Sequence, residues 1–139
     1  MKRLLKKKKR TLAYLLAGLA ILFILFFIAP SFIIGMDVKK LCIRAKKNYA
    51  GDCVEALITQ LNDENQDFRA RNHAIWALGQ LGDSRALPVL QSYYTGNIPD
   101  RERLNEAISQ YELKKAINLT NGGVNLTLIS VHKRMKNRR

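Results

Sequence analysis

The feature that most constrains this chain is an uncharged, apolar stretch near its N-terminus. No Asp, Glu, Lys or Arg occurs from Thr11 through Met36, and 15 of the 23 residues at 12–34 are Leu, Ile or Phe. A helix of that length extends about 34 Å, against a membrane hydrocarbon core of about 30 Å. A helix that is apolar on every face is rarely covered by so small a protein. The stretch therefore predicts a transmembrane helix, which we assign to residues 11–35.

A cleaved signal peptide is the alternative interpretation, because a basic segment at residues 1–10 precedes the apolar stretch. Signal peptides have an apolar region of only about 7–15 residues, which ends at a small-x-small cleavage site. Here the apolar stretch is longer, and the Ala-Pro-Ser sequence at 29–31 is followed by further apolar residues at 32–34. The pattern favours an uncleaved anchor over a signal peptide.

The positive charge of the chain is concentrated at its two ends. Of the net charge of +13, residues 1–10 contribute +7 and residues 133–139 contribute +5, so the rest of the chain is close to neutral. The charge pattern therefore shows no basic face for nucleic acid between the two ends. We predict that the N-terminal flank contacts lipid head groups. Nucleic-acid binding through the tail at 132–139 is the less favoured alternative.

The basic residues on either side of the apolar stretch predict its orientation. Seven basic residues precede the stretch, and five follow it within residues 39–47. Lys and Arg are enriched in cytoplasmic loops. We therefore predict a single-pass membrane protein whose N-terminus lies in the cytoplasm and whose C-terminal domain lies outside.

The sequence beyond the membrane stretch contains internal repeats. Residues 67–81 and 100–111 share four identical positions at an offset of 33, and residues 54–61 and 84–91 share an Ala-Leu pair at an offset of about 30. Self-similarity near 30 residues, at helical periodicity, indicates stacked helical hairpins. We predict an all-α fold in which the transmembrane helix precedes a short α-solenoid.

Capping residues and apolar spacing locate the helices of this solenoid. Asp67 is a candidate N-cap, and Gly82 a candidate end, of the central helix. The predicted helices are 37–48, 52–62, 67–81, 85–94 and 101–118. The first either continues the membrane helix or breaks from it at Gly35. Residues 124–131 are either a capping strand or a short helix.

The family that this region resembles is that of HEAT repeats, in the short bacterial form also seen in phycobilisome lyases. The resemblance lies in the segment DFRARNHAIWALGQLGDSRALPVL. The residues that match the family pattern are Asp67, Ala70, Arg71, Ala77, Leu78, Gly79, Leu81, Gly82, Asp83, Ala86, Leu87 and Leu90. In such repeats the Asp and Arg tie neighbouring repeats together. The resemblance therefore implies structural roles for Asp67 and Arg71, and Gly79, Gly82 and Asp83 belong to the same motif.

The predicted organisation has four parts. A basic flank at residues 1–10 precedes the transmembrane helix at 11–35. A HEAT-like repeat domain follows at residues 37–118. The chain ends with a cap and a basic tail at 119–139.

Residues with catalytic or metal-binding potential are sparse. No motif for an activated nucleophile, a phosphate loop or a dinucleotide occurs. His73 has no acidic or His partner at the spacing of a helical metal site, and the acidic loop at 62–67 lacks the residue order of a calcium-binding loop. We therefore predict that the chain is not an enzyme and holds no cofactor or metal.

Cys42 and Cys53 are the two cysteines of the chain. Their spacing fits no redox or zinc motif. In an oxidising compartment they could form a disulfide between the first two helices. However, a turn near Gly51 is not expected to place them opposite each other in antiparallel helices. The sequence leaves both a disulfide and two buried thiols open.

Helical repeat arrays present an extended surface that usually binds protein. We therefore predict a membrane-anchored adaptor or scaffold that binds an unidentified protein partner. The candidate contact residues are Tyr93, Tyr94, Arg69 and Arg103. The alternative, which the HEAT resemblance implies, is an accessory subunit of an enzyme, either lyase-like or chaperone-like.

Overall fold

The structure, a computed structural model, describes residues 2–124. Its α-helices are α1 (Lys2–Phe23), α2 (Ala29–Asn48), α3 (Cys53–Asn62), α4 (Phe68–Leu81), α5 (Leu87–Tyr93) and α6 (Gln110–Thr120), with a π-helical turn at Ile24–Ile28 and a 3-10 turn at Ser84–Ala86. No strand occurs within residues 2–124. The predicted all-α fold is confirmed. The predicted basic tail and most of the predicted cap lie at 125–139, outside the described residues.

The chain divides into two compact units, Met1–Ile33 and Ile34–Arg139. In the first unit the large apolar side chains from Leu12 to Phe26 are 49–77% exposed. One helix within the described residues, Lys8–Asn48, is long and apolar enough to cross a membrane by its length and composition. None of its most apolar window is buried inside the protein. The long apolar helix that the sequence predicts is therefore present.

Pro30 explains the π-helical turn in this helix. Proline lacks an N–H group, and its ring clashes with the carbonyl four residues earlier, so an α-helix is disturbed just before it. Here the Ala29 N–H bonds the Ile24 carbonyl five residues back, and α2 begins at Ala29. α2 then runs through Gly35 to Asn48 without a break. The helix beyond Gly35 therefore continues the apolar helix.

The second unit, which we call the repeat unit, buries one stripe of each of its helices. α4 packs against both α3 and α6, and α5 packs against α6. The core residues are Val38, Cys42, Ala45, Cys53, Val54, Ala56, Leu57, Leu61, Ala74, Ile75, Ala77, Leu78, Leu81, Ala86, Leu90, Leu113 and Ala116. These side chains recur at helical spacing, so each helix is amphipathic and needs its neighbours to cover it. The result is a short α-solenoid.

Side-chain caps determine where the helices of the repeat unit begin. The Asp52 carboxylate accepts from the Glu55 N–H at 3.0 Å, and the Glu55 carboxylate accepts from the Asp52 N–H at 2.9 Å. This reciprocal capping box starts α3. Asp67 caps α4 in the predicted way, by accepting from the Ala70 N–H at 2.6 Å. Gly82 ends α4 in the left-handed conformation, at φ +61°.

The last predicted helix is wrong in its first half. A single helix was expected over residues 101–118, but α6 begins only at Gln110. Residues 94–109 instead form a loop with short turns. The sequence identities at an offset of 33 therefore align a helix with a loop.

A buried amide on α4 explains this loop. Asn72 is 5% exposed, and its Nδ2 donates to the carbonyls of Leu104 and Ala107 at 2.9 Å each. Its Oδ1 accepts from the Ser109 N–H, also at 2.9 Å. Asn72 thus satisfies backbone groups that a helix would satisfy internally. Ser109 then caps α6 by accepting from the Glu112 N–H.

Candidate functional site

Arg71 is a buried cation that joins three helices. It is 7% exposed, its Nε donates to the Leu61 carbonyl at 2.8 Å, and its Nη2 donates to the Tyr93 hydroxyl at 3.4 Å. Its guanidinium also lies 5.8 Å from the ring centroid of Phe68 and 5.6 Å from that of Tyr93. Hydrogen bonds and cation–π contacts thus tie α3, α4 and α5 together through one side chain. This is the kind of contact that the HEAT resemblance implies for Arg71.

The two tyrosines predicted as partner contacts are half-buried and pack against the core. The Tyr93 hydroxyl donates to Asn62 Oδ1 at 3.1 Å while it accepts from Arg71. The Tyr93 carbonyl accepts from the Gln110 side chain at 3.2 Å. These bonds give Tyr93 a role inside the fold. Tyr94 ends α5 and is the less constrained of the two.

The two arginines predicted as partner contacts are both exposed. Arg69 lies in the first turn of α4. Arg103 lies in the loop before α6, where its guanidinium pairs with Glu106 at 3.2 Å and its side chain is 74% exposed. Such an exposed pair is worth little energetically. Arg103 can therefore exchange Glu106 for a carboxylate of a partner.

The end of the HEAT motif connects the start of α3 to the turn before α5. The Asp83 carboxylate accepts from the Arg85 N–H at 3.0 Å and from its guanidinium at 2.9 Å. The same guanidinium donates to Asp52 at 2.7 Å. Partial burial acts to raise the pKa of Asp52, but the hydrogen bond from the Glu55 N–H and the Arg85 guanidinium outweigh it, so that pKa is lowered. Asp83 and Asp52 thus share one guanidinium, which links the turn before α5 to the start of α3.

Gly79 allows α4 and α6 to approach closely. A Cβ atom at this position would lie 2.7 Å from the Cα of Ala116 and 2.8 Å from its Cβ. Both distances are shorter than real Cβ contacts, so a larger residue would push the two helices apart. Gly79 therefore serves the packing of α4 against α6.

Cys42 of α2 and Cys53 of α3 form a disulfide, with Cα atoms 5.3 Å apart. The expectation that the turn would keep them apart is wrong. Cys42 lies in the last two turns of α2 and Cys53 is the first residue of α3, so residues 49–52 return the chain to the side of α2. Both cysteines are buried, at 4% and 6% exposure. The disulfide joins α2 to the start of α3.

A hydrogen bond joins the C-terminal ends of α2 and α3. The Tyr49 hydroxyl donates to Asp63 Oδ2 at 2.6 Å. This hydrogen bond lowers the pKa of Asp63 and raises the pKa of Tyr49. The acidic loop at 62–67 is thus a capped connection between helices, since Asp63 binds Tyr49 and Asp67 caps α4.

Two exposed apolar residues that the sequence reasoning missed flank the start of α6. Leu104 is 48% exposed and Tyr111 is 53% exposed. The segment between them is held in place, because Glu102 accepts from the Tyr111 N–H at 3.0 Å and from the Ser109 hydroxyl, while Asn72 binds the Leu104 carbonyl. Large apolar side chains on an ordered, exposed segment are typical of protein contacts. The sequence did not predict this arrangement, because residues 101–109 were expected to be helical.

We call Arg103, Leu104 and Tyr111 the loop surface. Lys115 Nζ lies 5.1 Å from the centroid of the Tyr111 ring, on the following turn of α6. The loop surface therefore combines an aliphatic group, an aromatic group and two nearby cations. Such a combination fits a partner that offers apolar side chains and carboxylates.

No group of three or more His, Cys, Asp or Glu side chains that could hold a metal occurs within residues 2–124. His73, the one histidine among these residues, is exposed on α4. His132 lies outside the described residues.

Comparison with known proteins places this geometry in a family. The HEAT repeats family matches residues 37–109, which is more than half of the chain. A segment of 70 residues is 37% identical to deoxyhypusine hydroxylase of Schizosaccharomyces pombe. That match covers 49% of this chain but 22% of the relative, so the chain corresponds to a minor part of the relative's length. No solved structure matches the chain.

The relative corrects one prediction. The chain was expected not to be an enzyme because its sequence lacks catalytic motifs, yet a protein that shares its repeats carries the name of an enzyme. The absence of a known motif is therefore no argument against an enzymatic role for a repeat fold. The resemblance to HEAT repeats, by contrast, is confirmed by both the sequence match and the stacked helices. The chain belongs to the HEAT-repeat family.

Proposed function

We propose that the chain is a single-pass membrane protein that holds a HEAT-repeat unit at the membrane, where the unit binds a protein partner. The observation that carries the proposal is the helix Lys8–Asn48, whose most apolar window is uncovered by the rest of the protein. A core helix of a soluble protein would be covered. Confining the repeat unit to a surface raises its local concentration, so a weak interface suffices for binding.

The proposed orientation places the repeat unit outside the cytoplasm. Two independent features support it. The basic residues before the apolar stretch outnumber those after it, which favours a cytoplasmic N-terminus. The Cys42–Cys53 disulfide belongs to an oxidising compartment, and disulfides are rare in the cytosol.

The loop surface is the proposed site of partner binding. Leu104 and Tyr111 are the exposed large apolar side chains of α3–α6 and the segments that connect these helices. Asn72 and Glu102 hold the loop that presents them. A preformed loop loses little conformational entropy when it binds. Arg103 adds a charge that can pair with a carboxylate.

An enzyme-related role is the second candidate, and the match to deoxyhypusine hydroxylase favours it. In this case the repeat unit would act within an enzyme or beside one as an accessory subunit. The identity of the bound protein distinguishes the two candidates. An adaptor binds a partner without changing a reaction, whereas an accessory subunit changes the turnover of the enzyme that it binds.

Site-specific photo-crosslinking in intact membranes tests the proposal. A benzophenone amino acid in place of Tyr111 is expected to capture one defined protein, and Leu104→Asp in the same chain is expected to abolish that adduct. The same amino acid in place of Gln91, which is exposed on α5, provides the control. Equal capture from Tyr111 and Gln91, or an adduct that survives Leu104→Asp, would contradict a partner at the loop surface.

A further inference from the structure

Beyond Gly35, α2 has two faces of opposite chemistry. The buried face comprises Val38, Cys42 and Ala45. The opposite face comprises Met36, Lys40, Ile43, Arg44 and Lys47, all exposed. Since helical residues follow one another at about 100°, these five lie on the side away from the buried stripe. We call them the basic face of α2.

The cations of the basic face have little compensation within the protein. Lys40 pairs with Asp37 at 3.1 Å, but both side chains are largely exposed, at 64% and 49%. Asp37 is the one acidic residue in the sequence of α2. Across the part of the chain that the structure describes, no ion pair involves Arg44 or Lys47. The face therefore carries a net positive charge that an external anion can neutralise.

Two apolar side chains stand among these cations. Met36 is 36% exposed and Ile43 is 43% exposed. A helix face that served only solubility would have no need of them. Helices that contact a lipid interface combine apolar side chains, which enter the boundary of the acyl chains, with Lys and Arg, which reach the phosphates.

The position of the basic face along α2 fits such an interface. The uncharged stretch ends at Met36. An α-helix rises 1.5 Å per residue, so Lys40 and Lys47 lie about 6 Å and about 17 Å further along α2. The headgroup layer is roughly 5–8 Å thick, and attraction to an anionic surface extends about 8–10 Å beyond it at physiological salt. With Met36 at the end of the hydrocarbon core, these cations fall within reach of lipid phosphates.

We propose that the basic face of α2 binds anionic phospholipid headgroups. This inference rests on the proposed membrane anchor and adds to it, because an apolar anchor alone does not favour anionic lipids over neutral ones. The exposed Met36 and Ile43 favour a lipid surface over a nucleic acid, which would be bound by the cations alone. The Asp37–Lys40 pair opens when Lys40 turns to a phosphate.

The full chain in lipid nanodiscs provides the test. A benzophenone amino acid replaces Ile43, and the nanodiscs contain phosphatidylcholine and phosphatidylglycerol in equal amounts. Mass spectrometry then measures the ratio of the two lipid adducts. With Arg44 and Lys47 in place, the ratio of phosphatidylglycerol to phosphatidylcholine adducts is expected to exceed one. Arg44→Gln with Lys47→Gln is expected to lower this ratio about tenfold, since each basic residue near an anionic surface adds attraction. Raised salt is expected to lower the ratio as well.

The matched control removes the same charge elsewhere. Arg69→Gln with Lys114→Gln neutralises two exposed cations of α4 and α6 and is expected to leave the adduct ratio unchanged. An adduct ratio equal to the lipid ratio of the nanodisc, or equal losses from both double variants, would overturn the proposal while leaving the anchor intact. Absence of any lipid adduct would also overturn it. Failure of the anchor itself is read separately, as release of the chain from membranes at alkaline pH.

Discussion

The long apolar helix and the repeat unit contain the same kinds of side chain but expose them in opposite ways. The leucines of α1 that are 55–64% exposed are Leu12, Leu15, Leu16, Leu19 and Leu22, whereas the fully buried leucines of the repeat unit are Leu57, Leu61, Leu78, Leu90 and Leu113. The difference lies in the intervening residues. The repeat unit alternates apolar stripes with polar faces, while residues 11–36 carry no charged residue. Pattern rather than composition therefore decides which environment an apolar residue requires.

The two regions also treat polar groups differently. Where the repeat unit buries polar side chains, as at Arg71 and Asn72, each has hydrogen-bond partners. Among the described residues no buried side-chain N or O atom lacks a partner. Residues 12–34 have few polar side chains to satisfy, namely the hydroxyls of Tyr14 and Ser31. Buried polar contacts thus help to specify the packing of the repeat unit. Residues 12–34 are otherwise apolar, so the stability of the apolar helix depends instead on an apolar environment around it.

The same Leu→Ala substitution is expected to have very different effects in the two regions. Leu78→Ala removes a fully buried side chain from α4 and is expected to lower the free energy of unfolding by about 4 kcal/mol. Leu19→Ala, at a position that is 64% exposed in the protein, is expected to change it by less than about 0.5 kcal/mol. Urea titration in detergent, followed by the fluorescence of the single tryptophan, Trp76, reports on the repeat unit. Equal losses from both variants would break the comparison.

The disulfide gives the next largest effect within the repeat unit. It closes a loop with a sequence separation of 11, and a loop of this length corresponds to about 3 kcal/mol in the chain-entropy description. Cys42→Ala with Cys53→Ala is expected to lower the stability of the repeat unit by that amount. A reducing agent should have the same effect on the native chain and none on the double variant. If neither the double substitution nor reduction of the native chain lowers the stability, the repeat unit does not depend on the disulfide.

Substitution of a glycine by alanine is expected to change the stability in the repeat unit but not in the apolar helix, and by less than the changes above. Gly79→Ala places a methyl group against Ala116 and is expected to cost about 1–2 kcal/mol, after the gain in helix propensity is included. Gly18→Ala in α1 meets nothing within 4 Å and is expected to leave the unfolding of the repeat unit unchanged. Thermal unfolding of the two variants measures the contrast. A neutral Gly79→Ala would show that α4 and α6 can separate without cost.

Acid sensitivity is the smallest expected effect. The pKa of Asp52 is lowered in the folded state, so its contribution is fully present above the ordinary pKa of 3.8 and is lost as the pH falls through the lower, folded value. Because Asp52 is half exposed, this contribution is below about 1 kcal/mol. Asp52→Asn keeps a good N-cap and should flatten the decline of the urea midpoint between about pH 4 and pH 2. An unchanged decline would exclude Asp52 as its source.

The sequence predicted α4 closely because its signals are local. Asp67, Gly82 and the apolar stripe between them each act within one or two turns, and the helix found is Phe68–Leu81. The segment before α6 could not be predicted in this way. Its conformation depends on Asn72, which lies more than 30 residues earlier and binds its backbone. A buried amide of this kind leaves no periodic signal in the loop that it binds.

The candidate site was predicted less well than the fold. Aromatic character alone favoured Tyr93, but its hydroxyl is used by Arg71 and Asn62. Leu104 and Tyr111 were not predicted as contact residues, because a helix over residues 101–118 gave no reason to expect either side chain to be exposed. Exposure depends on tertiary contacts, which spacing does not reveal. The disulfide was left open for the same reason, since the geometry of the turn at 49–52 decides it.

We propose that the helix at residues 11–35 anchors the repeat unit in a membrane. Alkaline carbonate extraction of membranes from cells that make the full chain tests it most directly. An embedded helix resists this treatment, so the chain is expected to stay in the membrane pellet together with integral membrane proteins. Recovery of the chain in the soluble fraction would contradict a membrane anchor.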